Sequence, residues 1–272
     1  MPKASIIISV YNKLAFLRLV LAGLEMQTEK DFEVIISDDG SEDAFVNGLK
    51  EICSRSPLHI IHNWQEDVGF RKNKILNSSV VIATAPYLIF LDGDCIPHPE
   101  FVKEHLLNAA PDTCLAGRRV DLSEELTQTL TAEKIRNGCL QSAGFTVKMF
   151  IAFLRTRLFN FKYGIYFKNP LLRRFFNRKE KGLLGANFSL HKNTLLAING
   201  FDERYRLPTF GEDSDVEFRL RLNGVKIKGV LNMAVAYHCR HKLLPRPEES
   251  KKLYEQVVKD RIAYTPYGIE KR

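Results

Sequence analysis

The run Tyr87-Leu88-Ile89-Phe90-Leu91, ending abruptly in Asp92-Gly93-Asp94-Cys95, constrains this chain of 272 residues more than any other stretch. Five consecutive apolar residues, aromatics among them, match a strand buried on both faces, as central strands of parallel sheets are. Two carboxylates then leave its C-terminal end, where open α/β sheets bind ligands. Gly93 between them lets the backbone turn tightly, so both side chains can face one point. A hard divalent cation suits that point. Taken alone, an acidic turn that closes a strand fits the same residues.

The stretches before this run decide how it is embedded. Ala4–Val10, Phe32–Ser37 and Leu58–His62 are rich in Ile and Val and read as strands. Leu14–Gln27, Glu42–Ser54 and Arg71–Thr84 read as the intervening helices. Strand alternating with helix is the pattern of a parallel sheet flanked by helices, an α/β fold. Right-handed crossovers then place three polar strand tips along one edge: Tyr11 with Asn12, Asp38 with Asp39, and Asp92 with Asp94. One of the pair Asp38 and Asp39 is expected to serve only as a turn and helix cap.

Several function classes fall away. The turn after the first strand, Val10-Tyr11-Asn12-Lys13, lacks the glycines of a Rossmann dinucleotide site. There is no Walker A loop, no G-x-S-x-G elbow and no zinc-like spacing of Cys and His. A nucleotide would have to be held by side chains and a metal ion. The net charge of +8 favours an anionic partner. Five scattered cysteines, no long apolar run and no signal-like N-terminus lead to the expectation of a reduced, cytoplasmic chain.

Motifs in both halves, in order, resemble those of the family 2 glycosyltransferases. These are Val10-Tyr11-Asn12, Asp38-Asp39-Gly40-Ser41, Leu91-Asp92-Gly93-Asp94, Gly185-Ala186-Asn187-Phe188-Ser189, Asn199-Gly200-Phe201-Asp202-Glu203, Gly211-Glu212-Asp213-Ser214-Asp215 and Tyr237-His238-Cys239-Arg240-His241. The resemblance implies the GT-A fold, a Rossmann-like, mostly parallel sheet flanked by helices. It also implies a nucleotide-sugar pocket built from Val10, Tyr11, Asn12, Asp39, Arg71, Asn77, Asp92 and Gly93. By the same resemblance Asp94 and His238, with Asp92 shared between ribose and metal, would hold Mn2+ or Mg2+, and His241 rivals His238. Asp213 would be the base that deprotonates the acceptor hydroxyl, with Asn187 and Glu212 contacting the acceptor. Many relatives carry Arg-Asn about fifteen residues before the first acid, where this chain has Leu76-Asn77. Arg71, Lys72 or Lys74 could supply the missing charge, and Arg71, in Gly69-Phe70-Arg71, is the expected substitute.

The implied activity is inverting transfer of a hexose from a nucleotide sugar, UDP-linked, to a glycan or lipid-linked glycan in bacterial lipopolysaccharide or capsule synthesis. A noncatalytic nucleotide-sugar or glycan-binding protein on the same fold is the alternative. The expected division is 1–121 for the nucleotide-sugar half, 122–181 for a helical insertion, 182–242 for the acceptor half and 243–272 for a helical tail. Later strands are expected at Cys114–Val120 and Met233–Tyr237, and helices at Phe101–Ala109, Leu122–Gly138, Asp213–Asn223 and about Glu248–Ala263. The insertion interleaves aromatics with Lys148, Arg155, Arg157, Lys162, Lys168, Arg173, Arg174 and Arg178. That mixture suits peripheral contact with the inner face of the cytoplasmic membrane, since a lipid-carried acceptor brings the enzyme to an anionic surface. No nucleic-acid recognition motif accompanies it, so nucleic acid is not an expected partner.

Overall fold

Ala4–Val10 forms β1, the centre of the fold, and the computed structural model describes residues 1–156, 160–178, 180, 182–208, 211–241 and 248–271. From β1 the chain alternates through α1 (Leu14–Glu25), β2 (Phe32–Asp38), α2 (Asp43–Arg55), β3 (Ile60–Trp64), α3 (Lys72–Ile82) and β4 (Tyr87–Asp92). These bounds lie close to the sequence expectation. There follow β5 (Cys95–Pro97), α4 (Phe101–Asn108), β6 (Thr113–Ala116) and β7 (Arg118–Asp121). A helical stretch comes next: α5 (Glu124–Thr129), α6 (Ala132–Arg136), α7 (Ala143–Thr156) and α8 (Pro170–Phe176). The remaining elements are β8 (Asn187–His191), α9 (Lys192–Leu196), α10 (Glu212–Leu222), β9 (Lys226–Gly229), β10 (Val235–His238) and α11 (Glu248–Asp260).

The main sheet has the order β3-β2-β1-β4-β8-β6-β9, and a smaller one has the order β5-β10-β7. In the main sheet only β8 runs against its neighbours, β4 and β6. Alternate side chains enter two separate cores. Ile6, Ile8, Ile89 and Leu91 pack with Leu17, Val20 and Leu24 of α1, whereas Ile7, Leu88 and Phe90 pack with Leu76 and Val80 of α3 and Val216 and Leu220 of α10. A strand so placed has no solvent face, which is why Tyr87–Leu91 is continuously apolar. Across the β4–β8 pair, Phe90 and Phe188 stack with centroids 4.4 Å apart and planes 5° from parallel.

Three expectations change. Cys114–Val120 is two strands in different sheets, because the chain breaks at Gly117, whose N–H donates to the Asn187 carbonyl at 2.9 Å. A Cβ there would run into the Asn187 side chain. Leu122–Gly138 is two short helices, each started by a hydroxyl cap, Ser123 on Leu126 N–H and Thr131 on Lys134 N–H. Strands β5, β8 and β9 had no sequence signal, being three to five residues long, with polar residues mixed into β8 and β9 and a proline in β5. Arg157 and residues 242–247, at the start of the expected tail, lie outside the described residues.

Candidate active site

The chain adds β2 and β3 on one side of β1 and then crosses to place β4 on the other, so the crevice of this sheet opens at the C-terminal ends of these parallel strands. A cleft of about 410 Å³ lies there, lined by Val10, Tyr11, Lys13, Asp39, Asp67, Phe70, Lys72, Asp92, Gly93, Asp94 and Pro208 among others. Gly93 is pinned: its N–H donates to the Ser9 carbonyl at 2.9 Å, and a Cβ would fall 2.6 Å from Val10 Cγ1. The Asp92 and Asp94 carboxylates approach each other within 4.8 Å, and each also joins a polar network of its own.

Asp92 is met by cations of the protein itself. Its Oδ1 accepts from Ser9 Oγ at 2.9 Å and Lys72 Nζ at 3.1 Å, and its Oδ2 lies 3.4 Å from Arg119. Burial acts to raise the Asp92 pKa, but Lys72 and Arg119 outweigh it and hold the carboxyl below its ordinary range. Lys72 also donates to Glu212 Oε1 at 2.9 Å. Burial pulls Lys72 down, and the two carboxylates more than reverse this, so it stays protonated. Glu212, buried beside it, is nevertheless raised by desolvation, and its Oε2 has no hydrogen-bond partner among the described residues.

Asp94 belongs to the other network, which the small sheet assembles. Register places His238 of β10 opposite Cys95 on one side and Asp121 on the other, and Cys239 N–H donates to the Asp94 carbonyl at 2.8 Å. Three ligand atoms converge: Asp94 Oδ1 to His238 Nε2 is 3.6 Å, Asp94 Oδ2 to His241 Nε2 is 3.0 Å, and the two Nε2 atoms are 3.1 Å apart. Asp121 Oδ1 sits 2.7 Å from His238 Nδ1. A carboxylate there fixes the orientation of the ring, as in the carboxylate–histidine pairs behind metal ligands. Burial would raise the Asp94 pKa, yet His241, His238 and Lys13, the last at 3.3 Å, set it well below the carboxylate range. This donor set of one carboxylate and two imidazoles fits a divalent cation.

A narrow space beyond Lys72 and Ser9 is bordered by Gly185, Glu212 and Asp213. Asp213 sits in the first turn of α10, where the helix dipole favours acids. Its carboxylate accepts from Ser214 N–H at 2.8 Å and Gly185 N–H at 3.2 Å. Asp215, the third acid, is structural: fully buried, it pairs with Arg219, which also donates to the Ile198 and Gly200 carbonyls.

Several expected residues do not line the cleft with their side chains. Asn77 spends its amide on the backbone of Phe201, donating to its carbonyl at 2.8 Å and accepting from its N–H at 2.8 Å. Asn187 is fully buried, donates to the Arg118 and Ala234 carbonyls and accepts from His105. Asn12 caps the turn before α2 through Glu42 N–H. Arg71 contributes its backbone, its N–H donating to Asp39 Oδ2 at 2.7 Å, while its guanidinium turns back to the Glu66 carbonyl. The cation that reaches the acids is Lys72, one residue on. Asp39 keeps its place in the cleft, held by Arg71 N–H and Gln65; Asp38 is the turn former, accepting from Ser41 N–H and paired with His62. Lys13, Arg119 and Asp121 carried no motif signal, because short strands and a turn bring them in.

The sequence profile of glycosyl transferase family 2 matches residues 5–178. A validoxylamine A glucosyltransferase of Streptomyces hygroscopicus subsp. jinggangensis is 37% identical over 107 residues, 39% of this chain and 25% of that protein. A chondroitin synthase of Escherichia coli is 27% identical over 253 residues, 86% of this chain and 34% of that protein. This chain thus spans about a quarter to a third of the length of these relatives. A mannosyltransferase of Pyrobaculum calidifontis, solved with GDP-Man and Mn2+, superposes with a TM-score of 0.57 at 15% identity, covering 89% of this chain and 58% of that one. With the strand order, the acid-tipped β4 and a profile match over most of the chain, the protein belongs to glycosyltransferase family 2 and has the GT-A fold.

Proposed function

We propose that the protein transfers a hexosyl group from a nucleotide sugar, UDP-linked, to a hydroxyl of a glycan or lipid-linked glycan, with inversion at the anomeric carbon. The observation that carries this is the continuity of the cleft: Ser9 and Lys72 line both the large pocket, which runs from Asp39 and Phe70 to Asp92-Gly93-Asp94, and the narrow space at Glu212 and Asp213. A donor in the first would present its anomeric carbon to a hydroxyl in the second.

The roles follow from chemistry. Tyr11 and Phe70 offer ring faces to a base, and Asp39 accepts from a base N–H. The bond from C1 to the diphosphate oxygen breaks as the acceptor oxygen bonds to C1, and Asp213 takes the acceptor proton. Lys72 and Arg119 offset negative charge near Asp92. Asp94 and His238, with Asp92 beside them, would hold Mn2+ or Mg2+, which would supply Lewis-acid stabilisation to a leaving diphosphate. The relatives support this class: the names of both refer to building glycosides, and the mannosyltransferase was solved with a nucleotide sugar and Mn2+.

We place the enzyme at the inner face of a bacterial membrane, in surface-polysaccharide synthesis. No described helix is long and apolar enough to cross a membrane. Yet α7 is apolar on two sides: Phe145 and Met149 face the core, while Val147, Phe150, Ile151 and Leu154 are exposed beside Lys148 and Arg155. Between Glu133 and Glu180 the chain has no acidic residue and eleven basic ones, a charge pattern that suits anionic lipid.

The test compares wild type with Asp213→Asn, using UDP- and GDP-sugars and glycan acceptors with Mn2+. A loss of about 10²–10⁴ in transfer, with donor binding retained, is expected. Undiminished transfer by the variant overturns the base assignment. A wild type that binds donor but transfers to no acceptor favours the noncatalytic alternative.

A further inference from the structure

Phe201, of the motif Asn199-Gly200-Phe201-Asp202-Glu203, borders the narrow space at Glu212 and Asp213, and its neighbours tie together the two helices that carry Lys72 and Glu212. From α3, Asn73 donates through Nδ2 to the Asp202 carbonyl at 2.7 Å, and Asn77, one turn on, holds both backbone groups of Phe201. From α10, Arg219 donates to the Ile198 and Gly200 carbonyls at 2.8 and 2.9 Å and pairs with Asp215 in the first turn of the same helix. The backbone is left-handed at Asn199, φ 61°, and at Gly200, φ 71°. A Cβ on Gly200 would fall 2.4 Å from Asn77 Oδ1, so α3 comes as close to this turn as glycine permits.

A later stretch, residues 265–270, closes the other side of the turn. The Asn199 amide donates to the Thr265 and Glu270 carbonyls at 2.7 and 2.8 Å and accepts from Glu270 N–H at 2.8 Å. Thr265 Oγ1 donates to Asp202 Oδ2 at 2.8 Å, and Glu203 N–H donates to the Tyr267 carbonyl at 3.0 Å. Arg204 donates to both oxygens of Asp202, at 3.0 and 2.7 Å, and its guanidinium lies 4.1 Å from the centre of the Tyr267 ring. Asn199, Asp202 and Thr265 are all buried, so breaking one of these bonds leaves a polar group unpaired away from water.

We propose that residues 265–270 are a clamp that sets how Lys72 meets Glu212: by fixing the turn at 199–202 they fix the first turns of α3 and α10 against each other, and Asn199, Asp202 and Thr265 are positioning residues for transfer. The inference rests on the reading of the cleft given above. The route is short. Thr265 fixes the Asp202 side chain, the Asp202 carbonyl holds Asn73, and Asn73 adjoins Lys72. On the other side, the carbonyls flanking Asn199 hold Arg219, whose partner Asp215 lies in the same first turn as Glu212. A misplacement of about 1 Å that begins far from the reacting atoms can cost about 10²-fold in rate. Gly93 and Asp94 are held instead by the Ser9 carbonyl and the Cys239 N–H, so loss of the clamp should slow transfer more than it weakens donor binding.

Two measurements on the full chain test this. Thr265→Val removes the hydroxyl at nearly constant shape, Thr265→Ser keeps it, and Asn199→Gly removes the amide while suiting a positive φ. The first measurement needs no substrate: urea unfolding gives the coupling between Lys72→Met and Glu212→Gln in a double-mutant cycle, once in the wild-type background and once in each Thr265 variant. The coupling is expected to fall by about half or more with Thr265→Val and to be retained with Thr265→Ser. A clamp that served stability alone would lower the unfolding midpoint and leave the coupling unchanged. The second measurement is transfer from a UDP-sugar to a glycan acceptor with Mn2+. Thr265→Val and Asn199→Gly are expected to lose about 10–100-fold in kcat, with donor affinity within about threefold of wild type and Thr265→Ser close to wild type in both. Circular dichroism shows that each variant is folded, and if Asn199→Gly is not, the Thr265 pair decides. Unchanged coupling in Thr265→Val overturns the proposal, as does wild-type kcat in that variant or a fall in donor affinity as large as the fall in kcat. If wild type transfers to no acceptor, the transfer reading falls, and the coupling alone decides whether residues 265–270 set the Lys72–Glu212 pair.

Discussion

The Lys72 ammonium donates to Glu212 Oε1 at 2.9 Å, joining the first turn of α3 to the first turn of α10 across 140 residues of chain. Because Lys72 also reaches Asp92, it is a protein cation shared by the proposed donor and acceptor sides. Lys72→Met would strand two partly buried acids, and removing one partner of a fully buried pair costs about 3–5 kcal/mol, so a loss toward the lower end of that range is expected. Urea unfolding should show a loss of that order, partly recovered in Lys72→Met with Glu212→Gln. Equal stability of wild type and the single variant would contradict this placement.

Packing between β4 and β8 gives a second expectation. Phe188 is buried and stacks on Phe90. Phe188→Ala should cost about 3–5 kcal/mol by cavity formation, and Phe188→Leu clearly less. A loss below about 1 kcal/mol would show that this stack is not part of the core.

Stability should also fall on mild acidification. Burial pulls the His105 imidazole down to about 3 and that of His98 to about 4. Unfolded imidazoles titrate near 6.5, so as pH falls below that value the unfolded state binds protons that the folded state refuses. The stabilisation is whole above about pH 6.5 and declines as pH falls toward these folded values, by up to about 2 kcal/mol per histidine at pH 5. Urea midpoints measured between pH 7 and 5 should decrease steadily; a flat profile would show that these rings are protonated in the fold.

How much of this was legible in the sequence depends on element length. Strands β1, β2 and β4 announce themselves because both faces are buried and the apolar signal is continuous. The antiparallel β8, with sequence Asn-Phe-Ser-Leu-His, hides its role because Asn187 and Ser189 face the buried His105 rather than solvent. The motifs located Asp92, Asp94, Asp213 and His238, but composition could not tell which acids point into the cleft. Asp38 and Asp39 are adjacent and serve different ends. Choosing Lys72 over Arg71 was likewise beyond sequence, since the start of α3 decides which side chain faces the acids. Arg119 and Asp121 depended on the break at Gly117, which a reading of one continuous strand conceals.

The exposed face of α7 predicts lipid dependence. The protein should cosediment with vesicles containing anionic phosphatidylglycerol and much less with phosphatidylcholine alone, and added salt should weaken the binding. Replacing Ile151 and Leu154 with Asp should abolish it without changing the unfolding temperature, because both side chains are exposed. Equal binding to neutral vesicles, or none to either, would contradict the membrane placement.

The most direct test of the central claim is calorimetric titration of UDP and GDP into the protein, with and without Mn2+. UDP is expected to bind in a Mn2+-dependent way, GDP more weakly, and Asp94→Asn to reduce the affinity at least tenfold. Failure of UDP to bind, with metal present, would contradict it.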